Sequence, residues 1–301
     1  MKAVFISLAF PGVSQVGEHG AQLGLWEFVK LEGQRVAIPP ADLYVLGAWH
    51  GAYSQVLTAL AGERVGICWT SSAAEMELNA PIEFVYLKQA LDNPRIAFVW
   101  FGDPGLAAAY PEKGFWHPYP LEFVPQPPAD KRQILTLCCP DKPSKNIYAQ
   151  LLAVAILQQG EPHLVLHTNI PDLRGLEGHL NVMQHGWLPR MEYDQLLASA
   201  RLNLAASFSE TCCYQAAESV LLGTPCLLSP AVPWAPKGTM VPSLTAELLD
   251  AAYLARHMDM LLEVPHQVLE EQREALERYA GSFHREEWQR LCLDVPRAQH
   301  L

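Results

Sequence analysis

The sequence predicts an α/β protein made of two parallel-sheet domains, and three observations predict it. Short apolar runs alternate with stretches of helical spacing in both halves of the chain. The length, 301 residues, is about twice the ~150-residue prior for one domain. Between the halves lies VPQPPADKRQ, residues 124–133, whose three prolines within four positions suit neither a helix nor a central strand. We read it as a stiff connector. The expected organisation is a first domain over 1–125, a second over 126–275, and a helical segment over 276–301.

In the first half, 3–9 (AVFISLA) reads as a buried strand, and the stretch holding Gly12, Gly17 and Gly20 as a loop. Residues 21–31 read as a helix through Leu25, Phe28 and Val29, with Gly33 as its C-cap. Strands follow at 35–38 and 44–46, a helix at 53–60, a strand at 65–69, a helix at 83–90 and a strand at 96–101. In the second half, 134–139 is a strand. Residues 144–159 form a helix whose Tyr148, Leu151, Leu152, Ala155 and Ile156 follow i, i+3, i+4, i+7, i+8. A strand at 163–167, a helix at 192–200 and a strand at 202–206 come next. A helix at 210–222 closed by Gly223, a strand at 225–228 and a helical run from 245 to about 292 complete the chain.

Composition narrows the function. Half the residues are hydrophobic and 18% are charged, which excludes a mainly disordered chain. No run of 18 uninterrupted apolar residues exists, so no membrane-spanning helix is expected. The formal net charge is −11, and the first 125 residues carry 7 Lys and Arg against 12 Asp and Glu. That balance disfavours a broad surface for a nucleic-acid backbone. The opening MKAVFISLAFPG lacks a cleavage site and reads as a first strand rather than a signal peptide. Seven cysteines without a C-x-x-C then imply reduced thiols in a cytoplasmic protein, and no metal site is expected of them. The glycine spacing matches no dinucleotide fingerprint, and neither a P-loop nor a G-x-S-x-G elbow occurs. Trp26, Trp100 and Trp116 are expected in the core, and His19 and His117 in structural roles.

The chemistry concentrates in residues 206–229, ASFSETCCYQAAESVLLGTPCLLS. Glu210 is expected to open a helix and Glu218 to follow about 12 Å along it, at 1.5 Å rise per residue. Carboxylates so spaced can accept hydrogen bonds from hydroxyls at the two ends of a ligand. The backbone amides of Thr211, Cys212, Cys213 and Tyr214, at the helix start, would face a diphosphate between them. A nucleoside-diphosphate sugar has those parts. In open parallel sheets such ligands sit outside the carboxyl ends of the strands, so a cleft between the domains is the expected location.

This segment resembles the E-x7-E motif of retaining glycosyltransferases with the GT-B fold, in the large fourth sequence family. Lys145-Asn146 resembles that family's lysine-glycine phosphate site. His185-Gly186-Trp187-Leu188-Pro189, followed by 193–200, resembles its segment flanking the nucleobase. The resemblance implies two Rossmann-like domains facing a cleft, with a C-terminal helical segment returning to the first. It implies that Glu210 holds hydroxyls of the transferred sugar and Glu218 those of the ribose. Thr211, Cys212, Cys213 and Tyr214 would bind donor sugar and phosphate through backbone amides, and Lys145 would neutralise the diphosphate. No cofactor is implied beyond the nucleotide-sugar co-substrate. The implied reaction is transfer with retention to an acceptor hydroxyl, independent of metal, since no Asp-x-Asp dyad occurs. The acceptor is left open among a glycan, a lipid-linked species, a small molecule and a modified DNA base.

Four departures accompany the resemblance. Pro140 stands where the family carries an arginine, and Lys142 is the candidate substitute. Cys212-Cys213 stand where it carries Phe-Gly, and the first glycine-rich stretch lacks its Gly-Gly pair. The first-domain catalytic histidine would fall near Trp69 or Thr70, leaving His50 as the nearest candidate. Two rival readings follow: a viral-type enzyme glycosylating modified DNA bases, opposed by the acidic first domain, and a nucleotide-sugar-binding protein without turnover.

Overall fold

The computed structural model describes all residues except 9–10, 32–36, 52, 80, 245 and 296–301. The chain divides into two compact units, one of Met1–Glu122 joined by the segment from Tyr279 onward, the other Phe123–Arg278.

The first unit runs β1 (Ala3–Leu8), α1 (Pro11–Gln22), β2 (Glu27–Leu31), β3 (Leu43–Gly47), α2 (Tyr53–Ala59), β4 (Val65–Trp69), α3 (Ala73–Asn79), α4 (Ile82–Asp92), β5 (Ile96–Phe101), α5 (Pro104–Ala109) and β6 (Gly114–Trp116). Its six strands are all parallel in the order β2-β1-β3-β4-β5-β6. Strands β3 and β4 are buried along their whole length, as their unbroken apolar runs dictate for strands covered on both faces.

Two expectations for this unit are overturned. The glycine-bearing stretch is not a loop but helix α1, and residues 21–31 are not a helix but the end of α1 followed by β2. The reason is close packing. A Cβ on Gly17 would meet the Phe28 ring at 2.4 Å, and one on Gly20 the Trp26 ring at 1.9 Å. Glycine is needed there so that aromatic rings can lie against the helix backbone, where Trp26 Nε1 donates to the Gly17 carbonyl at 2.9 Å. Gly24, at φ +66°, ends α1 in a Schellman turn, with Leu25 N–H bonded to Gly20 O and Gly24 N–H to Ala21 O. The expected cap Gly33 and the start of the expected 35–38 strand lie outside the described residues, and Ala37 and Ile38 are not in a strand.

The second unit runs β7 (Ile134–Leu137), a 3-10 turn (Pro143–Lys145), α6 (Ile147–Gly160), β8 (Val165–Thr168), β9 (Val182–Gln184), α7 (Arg190–Ser199), β10 (Leu202–Ala205), α8 (Tyr214–Leu221), β11 (Cys226–Leu228), α9 (Ala246–Leu249), α10 (Ala251–Glu263) and α11 (Pro265–Gly281). Its five strands are parallel in the order β11-β10-β7-β8-β9. Chain order reverses between β7 and β10, which makes the carboxyl ends of those two strands the switch point of the sheet. Helix α6 is buried on nearly every side, whereas Tyr148, expected on its core face, is exposed. The proline-rich connector is tied down along α7 and α8. Gln126 N–H donates to Leu221 O at 2.6 Å, and Lys131 Nζ donates to Ala198 O and the Thr224 hydroxyl. Gly223, at φ +86°, turns the chain where Pro128 lies too close for a side chain.

Helix α12 (Arg285–Asp294) belongs to the first unit. Trp288 is fully buried beside Trp26 and Trp100, at ring distances of 5.2 and 5.6 Å. The buried Arg64 guanidinium donates to the carbonyls of Cys292, Leu293 and Val295, satisfying the end of the helix. Trp116, expected in the core, is exposed. No helix among the described residues is long and apolar enough to cross a membrane.

Candidate donor site

The loops that leave β7 and β10 meet at the switch point of the second sheet. The buried Gln150 of α6 stitches them together, accepting from Ala206 N–H at 3.0 Å and donating to Lys145 O at 2.8 Å. Phe208 N–H adds a bond to Ser144 O at 2.8 Å. The result is an ion pair between Lys145 Nζ and Glu210 Oε1 at 2.6 Å, with side chains only 14% and 8% exposed.

Glu210 does not open a helix. Helix α8 begins at Tyr214, and Glu210, Thr211 and Cys212 lie in the preceding loop with Cys213 as N-cap. The expected spacing of about 12 Å along one axis therefore does not describe the two glutamates, and the amides of Thr211 to Cys213 belong to the loop. The break has a local cause. Cys213 adopts φ +61°, ψ +61°, the left-handed region, which ends any continuous helix from Glu210. Asn146, capping α6 after Lys145, is left-handed too, at φ +52°. Both residues stand where the resembled motifs carry glycine. Asparagine visits this region more readily than other side chains, and cysteine has no such advantage.

All seven cysteines are buried and none forms a disulfide. Burial pushes the Cys139 thiol up to about 12, against the pull of Lys145, and pushes Cys213 well above its ordinary value, with Glu210 adding to the rise. The indole N–H of Trp234 donates to the Cys212 carbonyl at 2.8 Å and fixes the loop.

Glu218, on α8, is 5% exposed and pairs with Arg190 at 2.7 Å. Arg190 is the first residue of α7 and also bonds Asp194 one turn on, at 2.9 Å. Burial works against its charge, but Glu218 and Asp194 outweigh that and raise its pKa. Tyr193, beside it, has its phenol pushed well up by burial, with Glu218 contributing. At the ends of β8 and β9, His167 Nδ1 and His185 Nε2 share a hydrogen bond at 2.9 Å, and Trp187, two residues on in the chain, is 69% exposed. Burial and then His185 lower the His167 pKa.

Of the expected residues, the structure brings together Lys145, Glu210, Cys212 and Cys213 around one switch point, with Tyr214 and Glu218 on the adjoining helix. His50 lies exposed after β3 in the first unit. Lys142, also exposed, precedes the 3-10 turn. Gly223-Thr224-Pro225 is a turn whose threonine hydroxyl donates to Leu197 O at the end of α7. Sequence reasoning missed Gln150 and Arg190. The Arg190–Asp194 spacing of four was a readable local signal, but the bond to Glu218 spans 28 positions and left none.

No family model and no curated protein matches the chain by sequence. Solved structures match by shape. Anabaena HepE in complex with UDP-glucose has a TM-score of 0.67 at 12% identity, covering 98% of this chain and 99% of that one. Sucrose-phosphate synthase from Thermosynechococcus elongatus has a TM-score of 0.59 at 15% identity, covering 98% and 97%. The pneumococcal O-GlcNAc transferase GtfA, in complex with UDP and GlcNAc, has a TM-score of 0.59 at 17% identity. That match covers 84% of this chain, which spans 56% of the length of GtfA. The fold is GT-B: two Rossmann-like units with a C-terminal segment returning to the first.

Proposed function

We propose that the chain is a retaining glycosyltransferase, which moves a sugar from a nucleoside-diphosphate sugar to an acceptor hydroxyl without a metal ion. The observation that carries this reading is the enclosed Lys145–Glu210 pair at the switch point, one turn of chain before α8. A lysine ammonium has three donors, so Lys145 can hold Glu210 and still meet an incoming phosphate oxygen. Glu210 then turns acceptor oxygens toward hydroxyls of the transferred sugar. Negative charge grows on the departing diphosphate as the glycosidic bond breaks, and a fixed cation beside it lowers that barrier. Glu218 takes the ribose hydroxyls. That HepE and GtfA were solved with UDP or UDP-glucose supports a donor of this class.

Thermal shift against a panel of nucleoside-diphosphate sugars tests the reading, because a ligand selective for the folded state raises the melting temperature by mass action. One selective donor, then released sugar or a glycosylated product with the anomeric configuration kept in the presence of EDTA, is the expected outcome. Binding without any turnover would favour a nucleotide-sugar-binding protein. Activity lost to EDTA and restored by Mn²⁺ would overturn metal independence.

A further inference from the structure

We propose that Arg190 is a positioning residue for nucleotide binding, which keeps the buried Glu218 carboxylate ionised and aimed at the ribose diol. The inference rests on the ribose assignment of Glu218 made above. Arg190 itself need not touch the ligand.

The geometry is specific. The guanidinium spends two different donors on two acids, Nε on Asp194 at 2.9 Å and Nη1 on Glu218 at 2.7 Å. A planar fork held at two points fixes the carboxylate it faces, which a lysine point charge cannot do as well. The position is also electrostatically expensive. A cation at the first residue of α7 opposes the helix dipole, so its two acid partners must hold it there. Glu218, in turn, is almost completely removed from water, and an isolated buried carboxylate reverts to its neutral acid. Asp194 and Tyr193 on α7 also interact with the pair, and Tyr193 in turn feels Cys138 after β7 and Cys213 before α8. A protonated Glu218 would offer a donor where a diol needs acceptors, so the charge of Arg190 passes into nucleotide affinity.

The experiment measures calorimetric affinity for UDP, GDP and ADP and for the 2′-deoxy form of the tightest binder, between pH 8 and pH 5. The proteins are the parent, Glu218→Gln, Arg190→Gln and Arg190→Lys. The parent should prefer the ribonucleotide at every pH, and Glu218→Gln should erase that preference. Arg190→Gln should keep it at pH 8 and lose it as pH falls, by at most about tenfold in affinity per pH unit for one proton taken up. Arg190→Lys should keep the ribose preference as pH falls, its charge retained, but bind the nucleotide more weakly than the parent, its two-point hold lost. If the parent binds none of the three nucleotides, or Glu218→Gln keeps the ribose preference, the ribose reading of Glu218 fails and takes the inference with it. If Glu218→Gln erases the preference but Arg190→Gln matches the parent at every pH, the ribose reading stands and Arg190 has no positioning role.

Discussion

Two ion pairs flank the start of α8, and they differ in how much water they keep. In the Lys145–Glu210 pair both partners are enclosed, at 14% and 8% exposure. In the Arg190–Glu218 pair the acid is enclosed at 5% but the base is 58% exposed. Each pair sets one cation against one glutamate, an ammonium in the first and a guanidinium in the second, and the larger contrast between them is solvent. An enclosed pair has lost hydration on both sides, and removing one member strands a buried charge. Where the base stands half in water, the pair has given up less hydration and its attraction is partly screened, so losing the base costs less. The first pair is thus a structural commitment, which on the proposed function an incoming diphosphate would share. The second is adjustable, which on the proposed function would suit a ribose site that fills and empties.

The largest effect that would break this comparison is on stability. Lys145→Ala in the unliganded protein should cost about 3–5 kcal/mol, the scale for breaking a buried pair from one side. Arg190→Ala should cost about 1–2 kcal/mol, closer to the loss of one charged hydrogen bond. Denaturant unfolding with unchanged m-value measures both. Equal losses would mean that the exposure difference carries no energetic weight. The double variant Lys145→Met with Glu210→Leu should recover most of the first loss, since apolar replacement of a buried pair is often neutral.

Next in size are the functional consequences. Glu218→Gln should weaken free nucleoside diphosphate by roughly 1.5–3 kcal/mol, a charged hydrogen bond, while Glu210→Gln leaves it nearly intact. Glu210→Gln should instead depress kcat, because sugar positioning counts most in the transition state. Lys145→Ala should weaken nucleotide-sugar binding by roughly 1.5–3 kcal/mol as well. Calorimetry and initial rates separate the three, and a kcat loss confined to Glu218→Gln would reverse the assignment.

A pH scan sharpens the contrast, because its expected effect arises outside both pairs. Burial lowers the pKa of His117, His167 and His257 in the folded protein. For each the unfolded chain then binds more protons than the folded one. Stability is therefore full above the unfolded value near 6.5 and declines as pH falls toward the lowered folded values. Chemical denaturation at pH 7.5 and pH 5.5 checks the direction. His117→Phe should flatten part of the decline, since its Nε2 is buried without a partner.

Much of the second unit was legible because its signals are local. The apolar strands 134–139 and 202–206, the lysine opening the α6 region and the E-x7-E spacing all sit within short windows. The site's shape was not legible, since periodicity carried a helix through Glu210 and only the left-handed Cys213 breaks it. In the first unit, Gly17 and Gly20 read as a loop because glycine's turn-forming use is commoner than its close-packing use. The partners that make them necessary, Trp26 and Phe28, arrive only when β2 folds back on α1. Arg190 shows the same limit. A residue whose role is fixed 28 positions away has no pattern of its own.

The smallest expected effect concerns the residue that separates the two pairs. Cys213 holds the left-handed conformation with a side chain attached, a state that costs an ordinary residue roughly 1–2 kcal/mol. Replacing it outright with glycine would mix that relief with loss of a buried sulfur, so the comparison must be between two variants. Cys213→Ala and Cys213→Gly both remove the thiol and differ in a single methyl group at φ +61°. The glycine variant should be the more stable of the two by about 1 kcal/mol, the reverse of the order in a helix interior, where alanine wins by about the same amount. Denaturant midpoints at constant m-value decide it. If alanine is the more stable, the backbone at 213 is not left-handed, and the chain from Glu210 to Glu218 is the continuous helix that the sequence alone predicts. The two pairs would then lie along one helix rather than on either side of a break.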